Sequence, residues 1–344
     1  MKRRLLRILC TVVALLSLDS AIGSWSAGAA RPELFVTRPD SGAALRLLVV
    51  FPGYRMPGAM LSEAFGAHLG PSDAMIVVGH SVHGVDVELT FREVLHAIET
   101  IDPPVGALRV YGGSMGGMSA VDFLRRYQRA GAGYGRVTLF LDTAPSSPAT
   151  VARPLWAVPA VSWFRGGPAV NALVHMVPGT VGPADMEPSA DPDLVAAAGR
   201  AGRRYPLSAL LGQASYIASF QPPSPAELAC VDRAYFLHGR DPQLDPIIII
   251  DGALAGWRQV LPQLQEVVIE GRAGQWHLPL IERPQETMAI LSNFADSRPP
   301  YPGERSAEGG QAGTGQREER GEEHDARQQA VVDKRAHGRL TAAG

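Results

Sequence analysis

The sequence predicts an α/β fold, a mostly parallel sheet flanked by helices with a helical cap insertion, and three observations carry that prediction. Short apolar runs recur along the chain, helical patterns separate them, and one run empties into a serine set among four glycines. The runs are "LRLLVVF" (Leu45 to Phe51), "AMIVVG" (Ala74 to Gly79), "ALRVYG" (Ala107 to Gly112), "VTLFLD" (Val137 to Asp142), "AYFLHG" (Ala234 to Gly239) and "EVVIE" (Glu266 to Glu270). They are near-continuous in their apolar character, not alternating. Strands of that kind are buried on both faces, which is the situation in a parallel sheet covered by helices on each side.

The chain of 344 residues is 46% apolar and 7% aromatic, enough to bury one large core or two modest ones. It begins with four cations, Lys2, Arg3, Arg4 and Arg7, followed by an apolar run from Ile8 to Leu18 and then by small residues in "SWSAGAARPE". A run of eleven residues is short for a bilayer span, and the order charged, apolar, small is that of a secretory signal peptide. A small-x-small rule places the cut after Ala29, with Ala27 at the other small position, so residues 1–29 leave and no stable membrane span is expected afterwards. Cys10 leaves with them. Cys230 then stands alone, which excludes an intramolecular disulfide even in an oxidising compartment. Cleavage turns the formal charge of -2 into -5, because it removes four basic side chains of 32 and one acidic side chain, Asp19, of 34. An acidic chain without a basic stripe is a poor nucleic-acid binder, since affinity there rests on neutralising phosphates.

The globular domain is expected to span residues 30–297. Between the fourth and fifth runs, residues 146–231 contain no convincing strand. They carry "WAVPAVSWF", "NALVHMVPG" and the helical "DLVAAAGRAGRRYPLSALLGQASYIASF", punctuated by prolines. A structureless loop of that length inside a compact domain is implausible, so this stretch is expected to be the helical cap. Residues 298–344, with "PPYPGERSAEGGQAGTGQREERGEEHDARQQ", have mixed charge, much glycine and almost nothing to bury, and are expected to be disordered.

The glycines explain themselves through the serine. Four glycines cost conformational entropy, so Gly112, Gly113, Gly116 and Gly117 around Ser114 imply a backbone requirement. Strand, then G-x-S-x-G, then helix is the pattern of a nucleophile elbow, a strained turn that lifts a serine hydroxyl above the carboxyl edge of a sheet. The competing phosphate-cradling loop lacks the Lys-Ser/Thr pair of a P-loop and the spacing of a dinucleotide fingerprint. A serine hydroxyl is a weak nucleophile until a base takes its proton, and the base needs an acid to orient it. Behind an elbow those partners follow in the order acid, then histidine. His277 comes after the last run, in "GRAGQWHLPLIERPQE". Asp241 directly follows the run before it, in "AYFLHGRDPQLDP", and leads as the acid; Asp245, four residues on, and Asp142, at the end of "VTLFLD", are its rivals.

Three stretches, "VYGGSMGGMSA", "FLHGRDPQLDP" and "WHLPLIERPQE", make the chain resemble the α/β-hydrolase fold superfamily, over roughly Leu45 to Phe294. The resemblance implies a serine hydrolase of the esterase or lipase kind, acting on a small ester or acyl substrate through an acyl-enzyme. An aminopeptidase, thioesterase or acyltransferase would use the same triad, and Asp185, Glu187, Asp191 and Asp193 are at hand to hold a substrate amine. A non-catalytic binding protein on this fold is the third reading, and the intact trio of residues argues against it. An oxyanion hole needs two backbone N–H groups. The resemblance assigns one to Met115, after the nucleophile, and the other to the loop "FPGYRMPGAM". There Pro52-Gly53 stands where relatives commonly have His-Gly, which makes Tyr54 the donor, since Pro52 has no N–H.

Other residues weigh less. His80 and His83, in "VGHSVHGVD", precede the serine and are read as shaping a turn, and His238 as a packed neighbour of the acid loop. Trp156, Trp163, Phe164, Leu173, Met176 and Val177 either line an apolar acyl pocket or pack the insertion on the sheet. No residues stand at metal-ligand spacing, and neither a metal nor an organic cofactor is expected.

Overall fold

The computed structural model describes residues 2–26, 31–39, 46–101, 106–132, 135–152, 167, 169–170, 172, 206–269, 277 and 284–296. Seven strands form one sheet: β1 (Glu33–Thr37), β2 (Arg46–Phe51), β3 (Asp73–Gly79), β4 (Ala107–Gly113), β5 (Arg136–Asp142), β6 (Arg233–Gly239) and β7 (Leu264–Ile269). Their order is β1-β3-β2-β4-β5-β6-β7, and every neighbouring pair is parallel except β1 with β3. All six expected strands are present. The seventh, β1, has no counterpart in the sequence reading.

Side chains alternate across the strands, and both sets are apolar. On one face Leu47, Val49, Phe51, Val110 and Leu139 pack with Val94, Phe123 and Trp257. These last three come from helices α3 (Val87–Glu99), α4 (Met115–Arg129) and α6 (Ile250–Val260). On the other face Leu48, Val50, Tyr111 and Phe140 meet Phe65 of α2 (Gly58–Gly66) and Met288 and Leu291 of α7 (Pro284–Asp296). Burial on both sides is why the runs of β2 to β6 show no polar alternation, while β7, at the edge, is largely exposed. Each fully buried Leu, Val or Phe contributes about 1.5 to 3 kcal/mol of transfer free energy. Trp257, wholly buried, also satisfies its indole N–H on the Ala144 carbonyl at 2.8 Å, tying α6 to the chain leaving β5.

Helix α5 (Leu207–Ser219) lies at the end of the expected cap and agrees with the helical pattern there. Residues 153–166 and 173–205, which carry the aromatic and acidic residues named for the cap, lie outside the described residues, as do the cleavage site at Ala29 and the tail 298–344. At the other end, α1 runs unbroken over Lys2–Ser26. Its apolar stretch is longer than Ile8 to Leu18: Arg4–Gly23, 20 residues of mean hydropathy 2.0, is long enough to cross a membrane. Arg7 and Asp19 interrupt the apolar composition without interrupting the helix, which is why the shorter run was the visible one.

Candidate active site

The loops that follow β2, β3, β4, β5, β6 and β7 all emerge at the carboxyl edge of the parallel strands, where open α/β sheets place their sites. Ser114 sits between β4 and α4 with φ 51° and ψ -124°, a left-side conformation that a non-glycine residue adopts only where its surroundings impose it. The surroundings here are backbone. A Cβ at Gly112 would strike the backbone of Gly116 and Gly117, and one at Gly116 would strike the Phe51 carbonyl. Ser114 N–H donates to the Asp142 carbonyl at 2.8 Å, and Gly117 N–H closes back on the Ser114 carbonyl at 2.9 Å. The elbow is thus built as its glycines imply.

His277 Nε2 lies 3.0 Å from Ser114 Oγ. Its Nδ1 lies 3.2 and 3.1 Å from the two carboxylate oxygens of Asp245. The acid that meets His277 is therefore Asp245, and the expectation for Asp241 is corrected. Asp241 is exposed at the start of the 3₁₀ turn Pro242–Leu244, and that turn carries the chain round so that Asp245, at its far end, points inward. The Asp245 side chain is only 2% exposed. Its Oδ1 also accepts the Ile247 and Ile248 amides at 2.8 Å each. The chain beyond it is pinned to residues 150–152, with Ala152 N–H to the Ile247 carbonyl and Ile249 N–H to the Thr150 carbonyl. A carboxylate held by two amides presents a fixed acceptor to the imidazole.

Asp142 is the other corrected rival. Its carboxylate is wholly buried and accepts the Tyr111 hydroxyl, while His277 Nδ1 is engaged by Asp245; burial and the Asp142 carboxylate push the Tyr111 phenol well above its ordinary range. The phenol stays a donor. Sequence reasoning missed Thr143, the residue after Asp142. It is fully buried with φ 44°, its N–H donates to the Leu237 carbonyl at 2.9 Å, and its hydroxyl donates to the His277 carbonyl. Thr143 thereby fixes the main chain that carries His277. A buried threonine one residue past a strand end was the only available signal.

The loop after β2 lies against the elbow: a Cβ on Gly53 would be 3.0 Å from the Gly113 carbonyl oxygen and 3.3 Å from Ser114 Cβ. Tyr54, about one-third exposed, follows it, and Met115 is the first residue of α4, so its N–H has no acceptor within the helix. His80 donates from Nε2 to the Pro52 carbonyl at 3.1 Å, and burial pushes its imidazole down to about 4. It is neutral at ordinary pH. His83 N–H bonds Ser81 Oγ within the turn Ser81–Gly84. His238 is buried at the end of β6, bonded to the Gly239 carbonyl at 2.7 Å and to Glu266 at 3.0 Å. Cys230 is a thiol that burial pushes up to about 11. Among the described residues no group of three or more His, Cys, Asp or Glu is placed to hold a metal ion.

Solved structures similar to this chain share its architecture. One is an esterase from Exiguobacterium antarcticum, 14% identical, with a TM-score of 0.55 over 77% of this chain and 96% of that one. A thermophilic esterase from Thermogutta terrifontis, solved with malate bound, is 21% identical, with a TM-score of 0.53 over 76% of this chain and 92% of that one. The enol-lactonase from Burkholderia xenovorans is 17% identical, with a TM-score of 0.52 over 76% and 95%. No protein-family model matches the chain, and no curated protein sequence matches it. With its six parallel strands, its elbow and these likenesses, the chain has the α/β-hydrolase fold.

Proposed function

We propose that this chain is a serine hydrolase that cleaves carboxylic esters through an acyl-enzyme. The observation that carries the reading is the continuous line of hydrogen-bond distances from Asp245 through His277 to Ser114, ending on a strained elbow. Ser114 Oγ attacks the ester carbonyl while His277 Nε2 takes its proton. Asp245, accepting from Nδ1, selects the tautomer that leaves Nε2 free and stabilises the imidazolium that forms. The N–H groups of Met115 and Tyr54 receive the oxyanion. His277 returns the proton to the departing alkoxide, then draws one from a water that attacks the acyl-enzyme, releasing the acid and restoring Ser114. Esters are favoured among acyl compounds because esterases recur among the similar solved structures.

We further infer that α1 directs the chain to export, on the strength of its cationic start and apolar stretch. The test of the chemistry is a fluorophosphonate probe with mapping of the adduct. Labelling is expected on Ser114, and Ser114→Ala should lose both labelling and ester turnover, the latter by about a millionfold, with an unchanged melting temperature. Undiminished labelling of the variant would remove Ser114 from its role.

A further inference from the structure

The loop Pro52–Arg55 is held at both ends by side chains. At its start the Pro52 carbonyl accepts from His80; at its end the Arg55 N–H donates to Gln213 Oε1 at 2.9 Å. Between these two bonds stand Gly53, against the elbow, and Tyr54. Arg55 has φ 63°, a left-handed conformation that costs a non-glycine residue about 1 to 2 kcal/mol, so the loop needs an external tie to keep it. Gln213 is wholly buried and belongs to α5, on the return from the insertion. The same helix reaches the turn after β3 as well, where Ser208 Oγ donates to the Val82 carbonyl at 2.6 Å, two residues from His80.

We propose that Gln213 is a positioning residue for the oxyanion-side loop, holding Arg55 left-handed so that the Tyr54 N–H faces the carbonyl carried by Ser114. This rests on the hydrolase reading above. A second observation separates the role from mere packing. The Gln213 Nε2 is buried without a hydrogen-bond partner among the described residues, and a buried unpaired donor lowers stability. Methionine has the same length and no such donor. A residue serving only the core at this position would therefore be better apolar; what glutamine alone adds is the acceptor for Arg55. The arrangement also makes hydrolysis depend on the seating of α5, so that the segment leading out of the insertion and the oxyanion loop move as one unit.

The experiment compares wild type, Gln213→Met and Gln213→Glu in kcat and KM on p-nitrophenyl acetate, in the rate of fluorophosphonate labelling of Ser114, and in melting temperature. Loss of one oxyanion donor costs about a hundredfold to a thousandfold in kcat, and loosening the loop that carries it should cost less, about tenfold to a hundredfold. Gln213→Met is expected to show that loss in kcat and in labelling rate, with KM within about twofold and a melting temperature equal to or above wild type. Gln213→Glu, which keeps an acceptor oxygen at the same reach, is expected to recover most of the kcat. Wild-type kcat in Gln213→Met overturns the proposal, and so does an equal loss in both variants, since a perturbed core would then explain both. If Gln213→Met fails to fold, Gln213→Glu decides: near-normal kcat supports the tie and a matching loss overturns it. A wild-type protein that neither turns over the ester nor labels at Ser114 overturns the hydrolase reading and this role together, whereas an active wild type with an equally active Gln213→Met overturns this role alone.

Discussion

Asp245 differs from Asp241 by four positions and by everything that matters to the imidazole. The carboxylate has to be buried, fixed and within reach of Nδ1, and only Asp245 meets these conditions, with two amides on Oδ1 and His277 on both oxygens. Asp245→Asn should therefore cut kcat by about ten-thousandfold while leaving KM comparatively unaffected, because the wrong tautomer and the lost charge act on the transition state. Asp241→Asn should stay within about threefold of wild type, since that side chain is exposed at the turn. Steady-state kinetics of the two variants separate them, and a collapse in Asp241→Asn alone would return the role to that residue. Ser114 and His277 were legible in the sequence because their constraints are local: glycines forced by backbone contact mark the one, and chain order marks the other. The acid was not, because its direction depends on a 3₁₀ turn and on pairing with residues 150–152, a contact nearly 100 positions away in the chain. Thr143 was invisible for a similar reason, since its partner is a carbonyl 134 residues on.

At the scale of elements, five of the six strands that sequence reasoning found, β2 to β6, are buried on two faces, and the sixth, β7, was found by its apolar run although it is a largely exposed edge strand, whereas β1 escaped. It is an edge strand with Val36 exposed, and it pairs antiparallel with β3, Glu33 opposite Gly79 and Thr37 opposite Met75. An edge strand needs apolar residues on one side only, so "ELFVT" does not stand out, yet it covers the free edge of β3. Helix α5 is joined to α4 by a buried bond, Tyr216 OH to Asp122 at 2.9 Å, and burial raises both groups above their ordinary values. That join, with the Gln213 tie, gives α5 two polar anchors on the sheet and helices of the core. Helix α1 poses the sharper question, because a mostly apolar stretch of 20 residues suits either a cleaved signal or a retained anchor. The small residues after it in the sequence are the reason we propose cleavage. Amino-terminal sequencing of exported protein is expected to begin at Ala30, and recovery of Met1 on the exported chain would show a retained helix.

For the whole molecule, the carboxyl edge of the parallel strands brings Ser114, Asp245 and His277 together and places a half-buried titratable group, His80, against the loop after β2. His80 links β3 to the Pro52 carbonyl, and burial lowers its imidazole from 6.5 to about 4 while the bond to Pro52 pulls weakly the other way. Between those two pH values the unfolded chain binds a proton at this position and the folded chain does not. Stability then rises with pH through the interval, is complete above about 6.5, and is lost as pH falls toward 4. Linkage puts the loss at about 2 to 3 kcal/mol on going from pH 7 to pH 4.5, a large share of the margin of an ordinary domain. Activity is the wrong observable for this effect, because it also reports every group around Ser114. Chemical denaturation is the right one. His80→Gln keeps a donor for the Pro52 carbonyl and cannot titrate, so wild type should lose about 2 to 3 kcal/mol more than the variant between pH 7 and pH 4.5, with the two converging on a constant difference above pH 7. Parallel stability profiles across that range would mean that His80 is as free to protonate in the folded chain as in the unfolded one, and that the imidazole is not shielded from water behind the loop after β2.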